Sequence, residues 1–425
     1  MSNEVRTIHR DVLPNGLAVI SEPMPHVRSV SVGVWTRTGT RREAPHLNGI
    51  AHFIEHMVFK GTERRSVEEI ARSVDSLGGM LDAFTSKEMI CFSAKVLDEH
   101  LPIAFDVISD LVLRPRFAPE DIEKEKGVIL EEMKMDEDNP EYLLHDVFTQ
   151  KFWPDHPLGK PIVGTRETVS RFARAAVLDS YRTWFRPNNL FITAAGNVDH
   201  ARLVELAAAA FGERATSSDG YVETPPQAQA QITLRHKADL GQAHILLGVP
   251  SLHATHEQRF AVYVLNNVLG GGMASRLFQN IRERQGLAYA VFSEISPYRD
   301  TGVFSVYAGT ALQTAERVVR SVAEEFCKVK TQHVGEEELR RAKDQFKGSL
   351  VLLLESTTSR MNNLARQENY FGRFFTLDEV LGAIDAVTAD EVQQVAQQLF
   401  QPEKIAITVL GNLDGFELAR DVLAC

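Results

Sequence analysis

Apolar residues recur along this chain with two distinct periods. Runs rich in β-branched and small apolar residues, VSVGVW around Gly33, FITAAG, ILLGVP around Gly248 and AITVLG, read as buried strands. Segments with apolar residues three and four apart, such as 66–77 and 119–135, read as amphipathic helices. Ser66 followed by Glu69 forms a capping box that marks one helix start. Each half of the chain opens on strands, runs through long helices and closes on a strand. That order predicts an α+β fold with helices packed on a mainly antiparallel sheet.

The two halves are related. FRPNNLFITAAGNVD at 185–199 returns as FQPEKIAITVLGNLD at 400–414, matched without a gap, and the same offset lays the run around Gly33 on that around Gly248. An internal duplication is expected, giving two homologous domains. The segment 214–231, with turn formers, a Pro-Pro step and no helical periodicity, reads as a linker between domains 1–213 and 232–425. A chain of 425 residues is long enough for two cores.

Composition narrows the partners. Lys and Arg number 46 against 57 Asp and Glu, a net charge of −11 that disfavours nucleic acid and anionic membrane. The N-terminus carries charges where a signal peptide needs an apolar stretch, and no window approaches eighteen uninterrupted apolar residues, so a cytoplasmic location is expected, or the mitochondrial matrix if a targeting peptide has been trimmed. Cys91, Cys327 and Cys425 are scattered, which suggests neither a disulfide framework nor a thiolate zinc site.

The chemistry concentrates at His52-Phe53-Ile54-Glu55-His56, an HxxEH string of which about 0.04 copies are expected from a composition with 14 His. On a helix the two imidazoles stand one turn apart with the carboxylate on the same arc, while Leu47, Ile50, Ala51, Phe53, Ile54, Met57 and Val58 fill the other side. That is a chelating arrangement. A catalytic zinc takes three protein ligands and keeps a position open, so a third ligand is needed. The 119–135 helix offers Glu125 and Glu132 on an arc with Ile122, Val128, Ile129, Met133 and Met135; Glu131 lies at its edge. Carboxylates on an apolar stripe need a metal, a histidine or an arginine as neighbour, because an unpaired one costs several kcal/mol to bury.

With these residues in place the chain resembles the pitrilysin/insulinase metallopeptidases, or inverzincins, and is similar to their half-length members, such as the mitochondrial processing peptidase beta subunit and its bacterial homologues. The likeness runs through LPNGLAVI, GIAHFIEHMVFKGT, LDAFTSKE, EKEKGVILEE, HPLGKPIVGT, GGGMASRLFQNIRERQGLAY and the closing GN-x-D strand. It implies one zinc per chain on His52, His56 and Glu132, with water activated by Glu55 as general base and then acid, and Glu125 orienting a zinc-bound imidazole. It also implies that Asp82, Ala83, Phe84 and Thr85 lie on an edge strand that binds substrate by β-augmentation. Asp82 departs from the Asn of many members, and an ionised carboxylate donates no hydrogen bond. Arg282 and Tyr289 match the pair that contacts substrate and steadies the oxyanion.

The expected function is therefore a zinc endopeptidase acting on peptides or unfolded segments inside a dimeric chamber, a homodimer or a heterodimer with a paralogue, with each site completed by the second subunit. The alternatives are a processing peptidase for targeting presequences and a noncatalytic core-protein-like subunit. The repeat offset lays His52, Glu55 and His56 on Asn267, Gly270 and Gly271, and Glu132 on Lys347, so the second copy has no zinc ligands of its own. Gly270-Gly271-Gly272 reads as a hinge or substrate-passing loop.

Overall fold

The computed structural model describes residues 7–214 and 221–423, and the chain falls into two compact units. The first is built on a six-stranded sheet of β1 (His9–Val12), β2 (Ala18–Pro23), β3 (Ser29–Thr36), β4 (Met80–Thr85), β5 (Ile90–Leu97) and β6 (Leu190–Gly196), in the order β1-β2-β6-β3-β5-β4. Only β2 and β6 pair in parallel; every other neighbour is antiparallel. The second unit has β7 (Ile232–His236), β8 (Ala243–Ser251), β9 (Ala288–Pro297), β10 (Gly302–Thr310) and β11 (Ala406–Gly411), in the order β7-β11-β8-β10-β9. Its one parallel pair, β7 with β11, occupies the place of β2 with β6. The same order and sense in both sheets, apart from the extra β1, is the duplication seen in the sequence.

Both sheets are buried on both faces, which is why β6 and β11 read as continuous apolar runs rather than as alternations. In the first unit Val30, Val32, Val34, Ile192 and Ala194 pack against helices that include Ile50–Val58 and Leu101–Leu113. The opposite face, with Ile20, Trp35 and Phe191, is covered by Met361, Leu364 and Ala365 of the helix Thr357–Tyr370. In the second unit the corresponding face, with Leu246, Tyr307 and Leu410, is covered by Leu144, Phe148 and Phe152 of the helix Pro140–Phe152.

Those two covering helices are exchanged. Residues 352–376 belong to the first unit and 134–160 to the second, so the division 1–213 and 232–425 read from the sequence describes the sheets but not these segments. A linear reading assigns a helix to its neighbours in sequence, whereas apolar sheet faces recruit whatever amphipathic helix reaches them. The expected linker 214–231 separates β6 from β7 but lies partly outside the described residues. Cys91 is a buried free thiol, whereas Cys327 is disulfide-bonded, against the sequence expectation. Among the described residues no helix is long and apolar enough to cross a membrane.

Candidate metal centre

The helix Ile50–Val58 carries HxxEH in the first unit, beside edge strand β4. Its apolar side, Ile50, Ala51, Phe53, Ile54, Met57 and Val58, is fully buried and fixes the rotation of the helix. Leu47, counted on that side from the sequence, belongs instead to the separate turn Pro45–Leu47. His52 is buried, and Glu55 and His56 are half-buried. The two imidazole rings are 4.5 Å apart.

The helix Pro119–Asp138 brings Glu132 to both of them. Its carboxylate oxygens lie 3.6 Å from His52 Nε2 and 3.6 Å from His56 Nε2. Two zinc bonds of about 2.0–2.1 Å opened at a tetrahedral angle span about 3.4 Å, so this spacing fits one ion held by all three side chains. Among the described residues these three form the group of His, Cys, Asp and Glu whose ligand atoms converge, all within 4.8 Å of one another. Burial, followed by the neighbouring charge of His56, pushes His52 down to about 3, which keeps its imidazole neutral and its lone pair available at pH 7.

Glu125, one of the most buried carboxylates on that helix, accepts a hydrogen bond from His56 Nδ1 at 2.8 Å. This fixes the tautomer and turns Nε2 toward Glu132. Its other oxygen pairs with Lys60 Nζ at 2.7 Å. Burial raises the Glu125 carboxyl, but the hydrogen bonds from His56 and Lys60 outweigh it and leave the carboxyl below its usual range. The partners of this carboxylate are thus a histidine and a lysine, not an arginine. Lys60 was not singled out from the sequence, although its place four residues after His56 puts it on the same side of the chain. Val128 and Met135, placed on the glutamate arc by the sequence pattern, are exposed.

Glu55 faces the same region and is held by Thr85, whose hydroxyl donates to Glu55 Oε2 at 2.5 Å. Burial pushes the Glu55 carboxyl up, while the Thr85 hydroxyl and the charge of His56 pull it back in part. Thr85 closes β4, the last strand of its sheet, which pairs only with β5. Among the described residues the outer backbone edge through Asp82, Ala83, Phe84 and Thr85 therefore has no neighbouring strand. Phe84 is partly exposed and stands edge-on to Trp35 at 5.7 Å, and Asp82 Oδ1 accepts from the Ala83 amide.

A further carboxylate, Glu43, escaped the sequence reading. It is buried below the start of the HxxEH helix and accepts from the amides of Gly49 and Ala51, both at 2.8 Å. Burial pushes it up to about 7, against the pull of those two amides and of Asn48.

In the second unit, Arg282 lies in a π-helical turn, Phe278–Arg284, and Tyr289 on edge strand β9. The guanidinium sits 5.0 Å from the centre of the Tyr289 ring and 4.7 Å from that of Phe278. The phenol is largely exposed. Gly270 closes the helix Arg259–Leu269, and a Cβ there would lie 2.3 Å from the Ser293 amide of β9. Gln345 Nε2 donates to the Gly271 carbonyl at 2.7 Å. Close backbone approach accounts for the glycine at position 270.

The family model described as Insulinase (Peptidase family M16) matches residues 18–166, and the one described as Peptidase M16 inactive domain matches 171–346. An uncharacterized zinc protease of Streptomyces coelicolor is 38% identical over 423 residues, covering 98% of this chain and 92% of that protein. One from Bacillus subtilis is 40% identical over 393 residues, covering 92% of this chain and 96% of its own length. In fold the chain is similar to the crystal structure of a protease from Helicobacter pylori, with a TM-score of 0.89 at 21% identity over 96% of this chain and all of that one. The crystal structure of a peptidase M16 inactive domain from Pseudomonas fluorescens gives a TM-score of 0.87 at 19% identity, over 95% and 98% of the two chains. With relatives matched along nearly its whole length and HxxEH inside the first matched region, the chain belongs to the insulinase family of M16 peptidases.

Proposed function

We propose that this chain is a zinc-dependent endopeptidase that hydrolyses peptides or unfolded segments, with His52, His56 and Glu132 holding the metal and Glu55 as the general base. The observation that carries the reading is the convergence of two imidazole Nε2 atoms and one carboxylate at zinc spacing, beside a second carboxylate left out of the set. A purely structural zinc site would close with a fourth protein ligand. Zinc, when bound, supplies Lewis acidity that polarises a carbonyl and acidifies water.

The side chains divide the remaining work. Glu55 takes a proton from the attacking water on one carboxylate oxygen and returns it to the departing amine, while the Thr85 hydroxyl holds the other oxygen. Glu125 keeps His56 in the tautomer whose Nε2 is a ligand. The free edge of β4 at Asp82–Thr85 takes an extended substrate as an added strand, reading its backbone rather than its side chains. Arg282 and Tyr289 donate to the developing oxyanion, supplied by a second copy of the chain in a homodimer whose enclosed chamber admits only unstructured substrates. The net charge of −11 fits protein substrates rather than nucleic acid.

The test is hydrolysis of quenched, unstructured peptides by wild type and by Glu55→Gln, with zinc measured in both. The expected outcome is equal zinc and a loss of about 10²–10⁴-fold or more in turnover for the variant. Cleavage by Glu55→Gln at the wild-type rate would remove Glu55 as the base, and zinc-free wild type would remove the metal reading itself.

A further inference from the structure

The HxxEH helix is short, nine residues, and its first turn already contains a ligand, His52. Its N-terminus has no local cap: Gly49 occupies the capping position in a left-handed conformation, φ 93°, and makes no side-chain capping bond. The function of a cap is carried out from outside the helix. Glu43 Oε2 accepts from the Gly49 amide and Oε1 from the Ala51 amide, so one carboxylate receives two of the amides that a helix start leaves unpaired. A negative group is also the favourable one at this end of the helix.

The same carboxylate ties the helix to a second loop. Asn48 Nδ2 donates to Glu43 Oε2 at 3.1 Å and to the Pro161 carbonyl at 2.9 Å, and the Thr168 hydroxyl donates to the Asn48 carbonyl at 2.7 Å. Glu43 and Asn48 are both about one-twentieth exposed. Gly49 and Gly164 face each other, both with positive φ; a Cβ on Gly49 would lie 2.6 Å from Gly164 Cα, and one on Gly164 would lie 2.5 Å from the Asn48 carbonyl oxygen. This is the structural content of the PIVGT stretch at 161–165, which the proposed chemistry leaves unused. The bonds from Glu43 to the helix fall on the Gly49 and Ala51 amides, the last of them one residue before His52.

We infer that Glu43 is a positioning residue of the metal centre: it fixes the first turn of the HxxEH helix against the 161–168 segment, and thereby the direction from which His52 presents Nε2. This rests on the zinc reading above. A ligand helix of nine residues with a frayed first turn would let His52 move while His56, held by Glu125, stayed in place. The two histidines would then no longer present their nitrogens at one point.

The experiment compares the full chain with Glu43→Gln, with and without added zinc. Gln is isosteric but replaces one of the two acceptor oxygens by an NH₂, so either the Ala51 amide, or the Gly49 amide together with the Asn48 NH₂, faces a donor in place of its acceptor. Zinc affinity is read by competition with a chromophoric chelator, the ligand geometry by the absorption of the cobalt-substituted chain, and the first turn by amide exchange over residues 49–56. The expected result is faster exchange at 49–52, zinc bound about 10-fold more weakly and an altered cobalt spectrum, with kcat reduced and KM for a quenched peptide unchanged. Glu43→Asp, which keeps two acceptor oxygens on a shorter arm, should recover part of the loss. Unchanged exchange together with wild-type zinc affinity and spectrum would overturn the inference even if the variant melts earlier. If Glu43→Gln does not fold, Thr168→Val removes one bond from the same knot and must shift exchange and zinc affinity in the same direction; no shift would again overturn it. Failure of wild type to cleave peptides would sink the peptidase reading alone, since exchange and zinc affinity are read without substrate.

Discussion

At Glu125 one buried carboxylate meets two partners, the His56 imidazole and the Lys60 ammonium. Glu125→Gln should leave the fold intact but weaken zinc by about 10–100-fold, because the His56 ring loses the group that fixes its tautomer. The same contact sets a pH dependence. Burial pulls His56 down, yet the bond to Glu125 and the charges of Glu132, Glu125 and Glu55 more than reverse it, and its pKa lies above the ordinary 6.5. A protonated imidazole cannot ligate, so zinc affinity should be full at alkaline pH and start to fall before the pH reaches 6.5 from above. A dissociation constant flat from pH 8 to 6 would contradict this; in Glu125→Gln the fall should move to lower pH. HxxEH was legible in the sequence because its two imidazoles and its carboxylate lie within about one helical turn. Glu43 was not, since what matters about it, two amide hydrogen bonds across a loop, leaves no periodic trace.

Among the elements, Gly33 of β3 and Gly248 of β8 are the repeat pair noticed in the sequence, and each lies where an exchanged helix crosses its sheet. A Cβ on Gly248 would fall 2.3 Å from the Phe148 ring, and one on Gly33 would fall 2.8 Å from Trp35 Nε1 and 3.2 Å from Met361 Sδ. Gly248→Ala should therefore cost about 1–3 kcal/mol by overpacking, seen as a lower denaturant midpoint at unchanged zinc content. Gly33→Ala should behave in the same way in the first unit. A neutral Gly248→Ala would mean that the Phe148 ring moves aside freely. The helix starts were legible where chemistry is local: Ser66 and Glu69 form both bonds of the expected capping box. The exposure of Val128 and Met135 was not, because an apolar arc shows only which side of a helix is greasy, not how far its neighbours extend along it.

For the whole molecule, the proposed homodimer makes a direct prediction. A His52→Ala chain and an Arg282→Ala chain, each inactive or impaired alone, should recover activity when mixed and reassembled, because the mixed dimer has one site with both sets intact. No recovery, or a fully active monomer by gel filtration, would dismiss completion in trans. The duplication was legible as a gapless repeat at the end of each half, and the two sheets follow it strand for strand apart from the extra β1. The exchange of helices 140–152 and 357–370 was not, since it is decided by which apolar sheet face each helix can reach after the chain has folded back.

Sequence by itself determined the strand and helix periods, the repeat, the HxxEH string and the candidate status of Glu132, all of which depend on residue types at fixed local spacing. Tertiary structure alone decided that Glu132 meets both Nε2 atoms, that Thr85 holds Glu55, and that Glu43 starts the helix they depend on. Those are contacts of 2.5–3.6 Å between residues up to 80 positions apart. Such distances are fixed by packing, for which the one-dimensional pattern holds no coordinate.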